Sequence, residues 1–471
     1  MSNFDVVVLG GGTGGYVAAI RGAQLGLKVA LVEKEKVGGT CLHRGCIPSK
    51  SYLRSAELFR TMQHSAAFGI KAESVQLDFP GVFGRKEKIV QNLHKGVQGL
   101  LKKNGVTVIQ GTGALVPPSI FSPNGLLSVM TPDGQQELLE PEKIILATGS
   151  RPKTFGIPID GVHTMTSDEA LARETLPASV IIMGGGVIGL EWASLYNDFG
   201  VQVTVLEFLD RVLAMEDEEV SAELAKHLTR RGVTIKTGAR VLPESVKVEG
   251  GEVTVEAEIG GERHRFTAET LLVAAAREPV TKGFGLENRE KLVYTKGGYI
   301  EVDGTGKTGD PGLWAIGDVV GGGLAHVAAH QGIVAMESIA GLDPHPFDLV
   351  KVARCVYTSP EVASVGLSEA HAKERGHEVK VGKIPFRAIG KAQVHGEIDG
   401  FVKLVADAKT GDLLGATMIG PDVTNYISEA GLALLLNASA WEVGQLVHPH
   451  PTLSEIFGEA ALAVDGRAIH F

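Results

Sequence analysis

Two copies of one short pattern constrain the fold of this chain more than any other feature. Each copy is an apolar run, a G-x-G-x-x-G turn, a helix-like segment and a second apolar run that ends in glutamate; the copies span residues 5–33 and 179–207. In such a unit the glycines let the backbone approach a pyrophosphate at the positive end of the helix. The sequence therefore predicts an α/β fold with two Rossmann-like dinucleotide-binding domains.

The first copy has all the parts of a dinucleotide site. Its predicted strands are Asp5–Leu9 and Lys28–Glu33, with a helix over Tyr16–Gly26 between them. Glu33 lies 18 residues after Gly15, near the spacing of roughly 20 residues for an acid that binds a ribose hydroxyl. A glycine turn alone is a weak signal, and the flanking strand, helix and acid make this one more specific.

The second copy repeats the arrangement with strands Ser179–Met183 and Val201–Glu207 around a helix over Leu190–Phe199. Its acid again stands 18 residues after the last glycine of the turn. An acid there favours NAD over NADP, because it would repel a 2′-phosphate, which arginine would attract. Arg211 is the nearest basic residue and lies outside the strand.

Cys41 and Cys46 are two of only three cysteines in 471 residues. On a regular helix, Cα atoms five positions apart lie about 8.7 Å from each other, whereas a disulfide tolerates about 4.4–6.8 Å. A bridge would need a bend in the backbone, which Gly45 makes easy. Lys50 follows Cys46 by one helical turn, so its charge could favour a thiolate or a polar cofactor nearby.

Three interpretations of the cysteine pair remain open. A redox dithiol is favoured. A structural disulfide is disfavoured, because the sequence shows no export signal and disulfides are uncommon in reducing compartments. A zinc site would need four ligands, and there is no second cysteine pair.

The composition disfavours nucleic-acid-binding and membrane-spanning proteins. The net charge of −10 disfavours nucleic acid as a partner, and the 44% hydrophobic and 21% charged residues are typical of a globular protein. No apolar run reaches transmembrane length, and the strand-like Val6–Leu9 follows the first residues too closely for a signal peptide. We therefore expect no membrane insertion and a cytoplasmic location.

The segments after each glycine unit also end in candidate ligands. Ile144–Pro152 and Leu271–Arg277 read as strands that end in turns, and Leu313–Asp318 is a strand with an aspartate at its carboxyl end, before a helix over Ala325–Ala340. Ligands of α/β sheets bind at such strand ends. Asp318 is thus either a ligand of a polyol or sugar, or an ordinary turn residue.

The last 120 or so residues differ in pattern. Strands are predicted at Phe401–Asp407 and Leu414–Ile419, and a helix at Ser428–Leu436, followed by the segment His448-Pro-His-Pro-Thr-Leu-Ser-Glu455. A histidine with a carboxylate five residues later suits an oriented general base. The alternatives are a surface histidine or a metal-binding pair of His448 and His450.

Together these motifs resemble those of the pyridine nucleotide–disulfide oxidoreductases, which are homodimeric flavoenzymes. The resemblance covers essentially the whole chain, in the order FAD fingerprint, GGTCxxxxCxPSK, ATGSRP, NAD fingerprint, AIGD and HPHPTLSE. It implies an FAD-binding domain over 1–150 and 279–345, an NAD-binding domain over 151–278, and a C-terminal α+β dimerisation domain over 346–471.

The resemblance also implies roles for single residues. Cys41 would exchange with the substrate thiol, and Cys46 would pass electrons to the flavin. Lys50 would lie beside the flavin and pair with Glu191. His450, oriented by Glu455, would be the acid/base and would reach the active site from the partner subunit.

The cofactor ligands follow from the same resemblance. For FAD they are Gly10, Gly12, Gly15, Glu33, Lys34, Gly39, Thr40, Lys50, Gly113, Thr148, Gly149, Ser150, Asp318 and Ala325. For NAD they are Gly184, Gly186, Val187, Ile188, Gly189, Glu191, Glu207, Val241, Ala276 and Arg277. No metal is expected.

Within the family, Gly39–Lys50 and His448–Glu455 are most similar to the branch that oxidises protein-bound dihydrolipoamide with NAD⁺. Cys41–Cys46 and Gly466–Phe471 are similar to the Bacillus-type enzyme of branched-chain 2-oxo acid dehydrogenase complexes. This implies lipoyl domains and an acyltransferase core as partners of a homodimer.

Other functions of related enzymes fit these residues less well. Glutathione-type reductases prefer NADPH and have arginines near position 207, and mercuric reductases carry a C-terminal cysteine pair, whereas no cysteine follows Cys355 here. A docking subunit and a purely structural flavoprotein are the non-catalytic alternatives. Thr13 and Ala276 depart from the family's usual proline and glycine, and Cys355 matches no redox position.

Overall fold

The computed structural model describes residues 2–117 and 125–471, which form two compact units. Unit 1 comprises Met1–Ser51, Pro80–Lys153 and Ala276–Phe347, and unit 2 comprises Tyr52–Phe79, Thr154–Ala275 and Asp348–Phe471. Within the described ranges, no helix has the length and apolar character to cross a bilayer.

The helices and strands alternate along most of the chain. The helices are α1 Thr13–Gln24, α2 Gly39–His43, α3 Cys46–Gln63, α4 Phe79–Lys103, α5 Ser167–Ala172, α6 Val187–Asp198, α7 Glu218–Arg230, α8 Ala325–Ile339, α9 Glu369–Glu374, α10 Gly390–His395, α11 Val423–Leu435, α12 Ala440–Gln445 and α13 Glu455–Val464. The strands are β1 Ser2–Leu9, β2 Val29–Glu33, β3 Thr107–Gln110, β4 Thr112–Val116, β5 Leu126–Met130, β6 Gln136–Leu146, β7 Ser150–Pro152, β8 Thr164–Met165, β9 Ser179–Met183, β10 Gln202–Leu206, β11 Thr234–Lys236, β12 Arg240–Val241, β13 Lys247–Glu249, β14 Glu252–Ile259, β15 Glu262–Ala268, β16 Thr270–Val273, β17 Arg277–Pro279, β18 Leu313–Ala315, β19 Arg354–Val356, β20 Glu361–Gly366, β21 Val379–Pro385, β22 Phe401–Asp407 and β23 Leu413–Gly420.

Unit 1 contains a parallel sheet in the order β3-β2-β1-β6-β18, which the antiparallel strands β5 and β4 extend from the first half of β6. The apolar residues of β1 and β2 are buried, because a parallel sheet is covered on both faces. The carboxyl ends of β1 and β2 therefore meet at one edge, beside the first glycine turn.

Unit 2 contains a second parallel sheet, β11-β10-β9-β16-β8, whose first four strands repeat the order of unit 1 while its edge strand β8 precedes them in the chain; beside it lies an antiparallel sheet of β12 to β15. Its C-terminal part is an antiparallel sheet in the order β19-β20-β23-β22-β21, whose core includes side chains of α11 and α13. The expected class, two Rossmann-like domains and a C-terminal α+β domain, is confirmed.

Both fingerprint helices begin earlier than the sequence analysis placed them. The first begins at Thr13 instead of Tyr16, and the second at Val187 instead of Leu190. The last glycine of each fingerprint is thus inside the helix rather than in a turn. A Cβ on Gly15 would lie 1.8 Å from the Gly10 carbonyl oxygen, and this close packing is what requires glycine there.

Candidate active site

The two cysteines of the redox segment lie on either side of a break between helices. Cys41 is in α2, which ends at His43, and Cys46 is the first residue of α3. The expected bend is therefore present, but Gly45 has a different role from the one predicted. Its φ lies outside the left-handed range, and a Cβ on it would stand 3.0 Å from the Thr40 carbonyl oxygen and 3.3 Å from Cys41 Cα. Close approach of the backbone, rather than an unusual φ, favours glycine at this position.

No disulfide joins Cys41 and Cys46, so the structure shows the pair in its dithiol form. A hydrogen bond with Cys46 is the main cause of a raised pKa for the Cys41 thiol; burial adds to it, and the charge of Lys50 opposes it. The two sulfurs are thus direct neighbours, and the ammonium group of Lys50 acts on the pair from one helical turn into α3. This arrangement can form and break a disulfide.

The first glycine turn packs closely against its surroundings. Gly10 has φ +108°, and a Cβ on it would lie 2.3 Å from the Ala147 carbonyl oxygen. A Cβ on Gly39 would lie 2.5 Å from the Cα of Gly12. The predicted FAD residues at the end of β1 and the start of α2 are therefore in contact.

Glu33 is buried at the end of β2 and holds this turn. Its two carboxylate oxygens accept hydrogen bonds from the Gly11 and Glu35 amides, each at 2.7 Å. Carboxylate oxygens have further lone pairs, so Glu33 can still accept from a ribose hydroxyl. Lys34 is exposed, with its ammonium 3.6 Å from Glu35.

The structure brings together Ser150, Asp318 and Arg277 in unit 1. The Ser150 hydroxyl donates to Asp318 at 2.6 Å, and Arg277 Nε donates to the same hydroxyl at 2.8 Å and lies 4.0 Å from Asp318 Oδ2. Arg277, which was predicted to bind NAD, thus contacts two residues predicted to bind FAD. The neighbouring Thr148 hydroxyl donates to the Val280 carbonyl at 2.7 Å.

Other predicted FAD residues have packing contacts. Gly113 lies in β4, where a Cβ would meet Leu9 Cδ1 at 2.6 Å, and Ala325 is the first residue of α8. The sequence analysis missed Gln331, whose side-chain oxygen accepts from the Gly317 amide at 2.7 Å and so fixes the backbone beside Asp318. No spacing or composition signal in the sequence distinguishes this glutamine.

The second glycine turn has the same design. Gly184 has φ +114°, and a Cβ on Gly189 would lie 2.0 Å from the Gly184 carbonyl oxygen. Gly186, by contrast, faces open space within 4 Å of its Cβ position and stands just before α6. Val187 and Ile188 form the start of that helix.

Glu207 closes this site from the end of β10. Its carboxylate is buried and accepts from the Gly185 amide at 2.5 Å and from the Leu209 amide at 2.7 Å. Arg211 is engaged elsewhere: its guanidinium lies 2.6 Å from Glu218 and donates to the Ala214 carbonyl at 2.9 Å.

The remaining predicted NAD residues are spread over both units. In unit 2, Val241 is buried in β12, and the buried Glu191 accepts from the Tyr357 amide at 3.0 Å. Ala276 belongs to unit 1, where its carbonyl accepts from the Lys153 amide at 3.0 Å.

Both fingerprint helices have termini that fit a pyrophosphate. The residues before α1 and α6 are Gly12 and Gly186. The first turns of both helices are among the described residues, and neither turn contains an acidic residue. The amide groups there keep their positive partial charge for a bound anion. The residues present therefore fit two dinucleotides.

His450 and Glu455 form the predicted pair. His450 Nδ1 lies 2.9 Å from Glu455 Oε1, and the other carboxylate oxygen accepts from the Thr452 amide at 2.8 Å. Burial opposes ionisation of Glu455, but the hydrogen bonds from Thr452 and His450 lower its pKa below the ordinary value. With 77% of its side chain exposed, His450 presents its free nitrogen to the surroundings of unit 2.

His448 does not form a metal site with His450. Its Nε2 lies 2.7 Å from Glu429 and its Nδ1 lies 3.2 Å from the Leu446 carbonyl, so both ring nitrogens are engaged. Across residues 2–117 and 125–471, no group of three or more His, Cys, Asp or Glu side chains is placed to hold a metal ion.

Comparison with known proteins shows the family of the chain. The family model "Pyridine nucleotide-disulphide oxidoreductase" matches residues 4–332, and the dimerisation-domain model of the same family matches residues 352–461. The chain is 54% identical to the dihydrolipoyl dehydrogenase of Bacillus subtilis, with 100% of both chains covered, and 43% identical to that of Zymomonas mobilis, with 100% of this chain and 99% of the relative covered.

A solved structure has the same fold. LpdA from Mycobacterium tuberculosis superposes with a TM-score of 0.90 at 28% identity, over 98% of this chain and 99% of that one. The predicted enzyme class, a flavin-dependent disulfide oxidoreductase, is confirmed by the family match and the full-length relatives. The chain therefore belongs to the pyridine nucleotide-disulphide oxidoreductase family.

Proposed function

We propose that the chain oxidises protein-bound dihydrolipoamide through the Cys41–Cys46 pair and delivers the electrons to NAD⁺. The predicted activity, dihydrolipoyl dehydrogenase, is confirmed by the full-length relatives. The observation that carries the residue assignment is the hydrogen-bonded dithiol at the break between α2 and α3. This dithiol follows directly on the backbone that touches the first glycine turn.

His450 acts as the base toward the substrate thiol. Glu455 is ionised at neutral pH and accepts from the imidazole, so the hydrogen sits on Nδ1 and Nε2 is left as the acceptor. Only a thiolate attacks a disulfide efficiently, so removal of the substrate proton starts the reaction.

The sulfur chemistry then balances as two exchanges. In the oxidised pair the substrate thiolate attacks the sulfur of Cys41, which forms a mixed disulfide and releases Cys46 as thiolate. The second substrate thiol loses its proton and attacks its own partner sulfur, which closes the cyclic disulfide of lipoamide and frees Cys41. Two electrons have then moved from the substrate to the pair, and the Lys50 charge stabilises the thiolate character of the site.

The first glycine turn, Glu33 and the Ser150–Asp318 contact would hold FAD, and the second turn and Glu207 would hold NAD. When bound, these cofactors supply the two-electron transfer from the dithiol to nicotinamide. NAD is favoured over NADP because Glu207 is an acid at the strand end where the ribose hydroxyls of NAD would bind and where a 2′-phosphate would be repelled. The nearest arginine, Arg211, is engaged by Glu218.

The match to the dimerisation domain supports a homodimer. We propose that His450 serves the dithiol of the partner subunit, which explains why it is held by its own helix α13 yet remains exposed. Exposed apolar side chains in the same C-terminal part suit such an interface; they are Leu435, Leu436, Trp441 and Val447.

Finer assignments are part of the same proposal. The lipoyl domain and acyltransferase core of a 2-oxo acid dehydrogenase complex, of the branched-chain type, are the proposed partners, in the cytoplasm. The proposed domains are 1–150 with 279–345 for FAD, 151–278 for NAD and 346–471 for dimerisation. These are supported by the family match and by the 54% identity to a bacterial relative.

The test is a steady-state comparison of two substrate pairs with purified protein. We expect turnover with dihydrolipoamide and NAD⁺, and little with glutathione disulfide and NADPH. A preference for the second pair would identify a glutathione-type reductase. NADPH-dependent reduction of Hg²⁺ with neither of the other activities would identify a mercuric reductase.

A further inference from the structure

Two histidines of unit 1 converge on one backbone carbonyl. His43 Nε2 and His94 Nδ1 each lie 2.9 Å from the Val37 carbonyl oxygen. Their rings meet edge to face, with centroids 5.0 Å apart and planes at 69°. Because a carbonyl only accepts, the ring nitrogen that faces it must carry the hydrogen in both cases.

The same peptide group is held from its other side. The N–H that belongs to the Val37–Gly38 peptide donates to the Gly11 carbonyl oxygen at 2.7 Å, inside the first glycine turn. Both polar groups of this peptide are therefore fixed, the carbonyl by two imidazoles and the N–H by the turn. Fixing this peptide matters because the next two residues have positive φ angles, Gly38 at +112° and Gly39 at +59°, so the backbone turns sharply there.

The position of this peptide connects three parts of the candidate site. Val37 lies between the ribose acid Glu33 and α2, which carries Cys41. His43 is the last residue of α2, and His94 lies in α4, a helix that contains none of the predicted site residues. Through His94, α4 is thus tied to the segment that joins the nucleotide turn to the redox pair.

We propose that His43 and His94 are positioning residues, which act together on the Val37–Gly38 peptide to fix the FAD turn against the redox segment. The proposal rests on the proposed function, since it assumes that the first glycine turn holds FAD. Neither histidine touches the reacting sulfurs in this role. Their contribution is to hold the backbone in the conformation that the cofactor needs.

Two donors on one acceptor give a distinctive pattern of mutational effects. Losing one imidazole leaves the carbonyl hydrogen-bonded, whereas losing both leaves a partly buried acceptor without a partner, which is the expensive case. We therefore expect His43→Leu and His94→Leu each to raise the dissociation constant for FAD by less than about twofold. The double variant should raise it by about tenfold or more.

A conservative double variant provides the control. Gln at position 43 can place its amide nitrogen where His43 Nε2 lies, and Asn at position 94 can do so for His94 Nδ1. His43→Gln/His94→Asn should therefore retain FAD affinity within about threefold, although it replaces the same two rings as the double leucine variant does. A general loss of folding in the leucine variant is detected by circular dichroism of the apoprotein.

The pair also predicts a pH signature. Burial is the main cause of a lowered pKa for His43; the hydrogen bond with Val37 opposes it, and the His94 ring and the charges of Lys36 and Arg44 add to it. Glu35 lies 2.7 Å from Arg44 and partly offsets that charge. The stabilisation from neutral His43 is present above its ordinary pKa of about 6.5 and is lost as pH falls, because a proton on its second ring nitrogen places a partly buried charge beside Lys36 and Arg44. The unfolding free energy of the wild type should therefore fall more between pH 7.5 and 5.5 than that of His43→Gln/His94→Asn, which urea unfolding measures.

The experiment titrates each apoprotein with FAD and follows the quenching of flavin fluorescence. A double leucine effect well above the product of the single effects, with affinity kept in the Gln/Asn variant, supports the proposal. Effects that simply multiply, or an equal loss in the Gln/Asn variant, overturn it, as does an identical pH dependence of the unfolding free energy in the wild type and the Gln/Asn variant. If the wild type binds FAD but the variants behave as in the overturning outcomes, only the positioning role fails. If the wild type binds no FAD, the proposed function fails too.

Discussion

Glu207 repeats at the second nucleotide site what Glu33 does at the first. Each carboxylate is buried at the end of the second strand and accepts from the second glycine of its own turn, Gly185 at 2.5 Å and Gly11 at 2.7 Å. Each also accepts from the amide two residues further along, at 2.7 Å in both cases. The acid that the fingerprint places near a ribose therefore also fixes the shape of the glycine turn that is proposed to hold the pyrophosphate.

This double use predicts the effect of Glu207→Gln. An amide group can accept from only one of the two backbone N–H groups, and its own NH₂ would face the other donor. We expect the apparent KM for NAD⁺ to rise by about tenfold, on the scale of one lost charge-assisted hydrogen bond, with FAD content unchanged. NAD⁺ titration in the steady state measures it.

Glu249→Gln is the matched control, because Glu249 is an exposed glutamate of β13 in the same unit. It should leave the KM for NAD⁺ within about twofold, as surface substitutions usually do. Equal effects of the two substitutions would show that Glu207 has no special role. Loss of FAD from Glu207→Gln would mean that the acid supports the fold rather than the NAD site.

The sequence predicted the sheets and the location of the nucleotide turns because their signals are local. A run of β-branched residues, a glycine turn and an acid are all within 30 residues of each other in both copies. The order of the parallel strands follows from that repeat. The role of Gly45 was harder, because a close approach to the Thr40 carbonyl looks in sequence just like a need for an unusual φ.

Long-range contacts were beyond prediction. The resemblance assigned Arg277 to NAD, and the structure adds a hydrogen bond from it to Ser150, which precedes it by 127 residues. His43 was part of a quoted motif, but nothing in the sequence indicates that His94, 51 positions later, shares its acceptor. The first pair depends on how β17 pairs with β7, and the second on how α4 packs in unit 1; no periodicity in the chain encodes either.

His450→Gln should lower dihydrolipoamide turnover by about 10²–10⁴-fold, the usual effect of losing a general base. Glutamine cannot take up a proton, and its amide reaches the position of Nε2 rather than that of Nδ1, which lies 2.9 Å from Glu455. Reduction of ferricyanide by NADH needs no proton from a thiol, so that reaction should keep its rate. Stopped-flow and steady-state assays measure both reactions.

The control for this substitution is His264→Gln, which changes an exposed histidine of β15. It should leave both reactions unchanged. Near-normal dihydrolipoamide turnover in His450→Gln would contradict the assigned role. A parallel fall in ferricyanide reduction would instead indicate damage to the flavin site.

The His448–Glu429 contact should make stability depend on pH. The hydrogen bond with Glu429, at 2.7 Å, is the main cause of a raised pKa for His448, which is only 8% exposed. A raised pKa means that protonated His448 stabilises the fold. This stabilisation is fully present below the unfolded-state value of about 6.5 and is lost as pH rises through the higher folded value.

The wild type should therefore exceed His448→Gln in unfolding free energy by about 1.5–3 kcal/mol at pH 5.5, the range for a hydrogen bond to a charged group. The difference should shrink toward pH 9. Urea unfolding at both pH values measures it, with His264→Gln again as the control. A difference that grows with pH would show that the neutral imidazole is the stabilising form.

Lys403 provides the strongest test of how charge holds unit 2 together. Its side chain is 5% exposed, and its ammonium lies 3.2 Å from Asp217, 2.8 Å from Glu219 and 2.9 Å from Glu369. Burial alone would lower the pKa of Lys403, but the hydrogen bonds to these carboxylates raise it above its ordinary value. The lysine is therefore charged at neutral pH.

Lys403→Met would leave three carboxylates around an apolar side chain, and we expect a loss of about 3–5 kcal/mol in unfolding free energy at pH 7. Lys383→Met is the matched control, since Lys383 also contacts Glu219, at 2.5 Å, but with 40% of its side chain exposed. An exposed pair contributes only about 0–1 kcal/mol. If both variants lose the same unfolding free energy, burial of the Lys403 charge does not contribute to the difference in stability. If burial does contribute, the loss in Lys403→Met should become smaller near pH 4, because protons begin to neutralise the carboxylates that the lysine no longer balances.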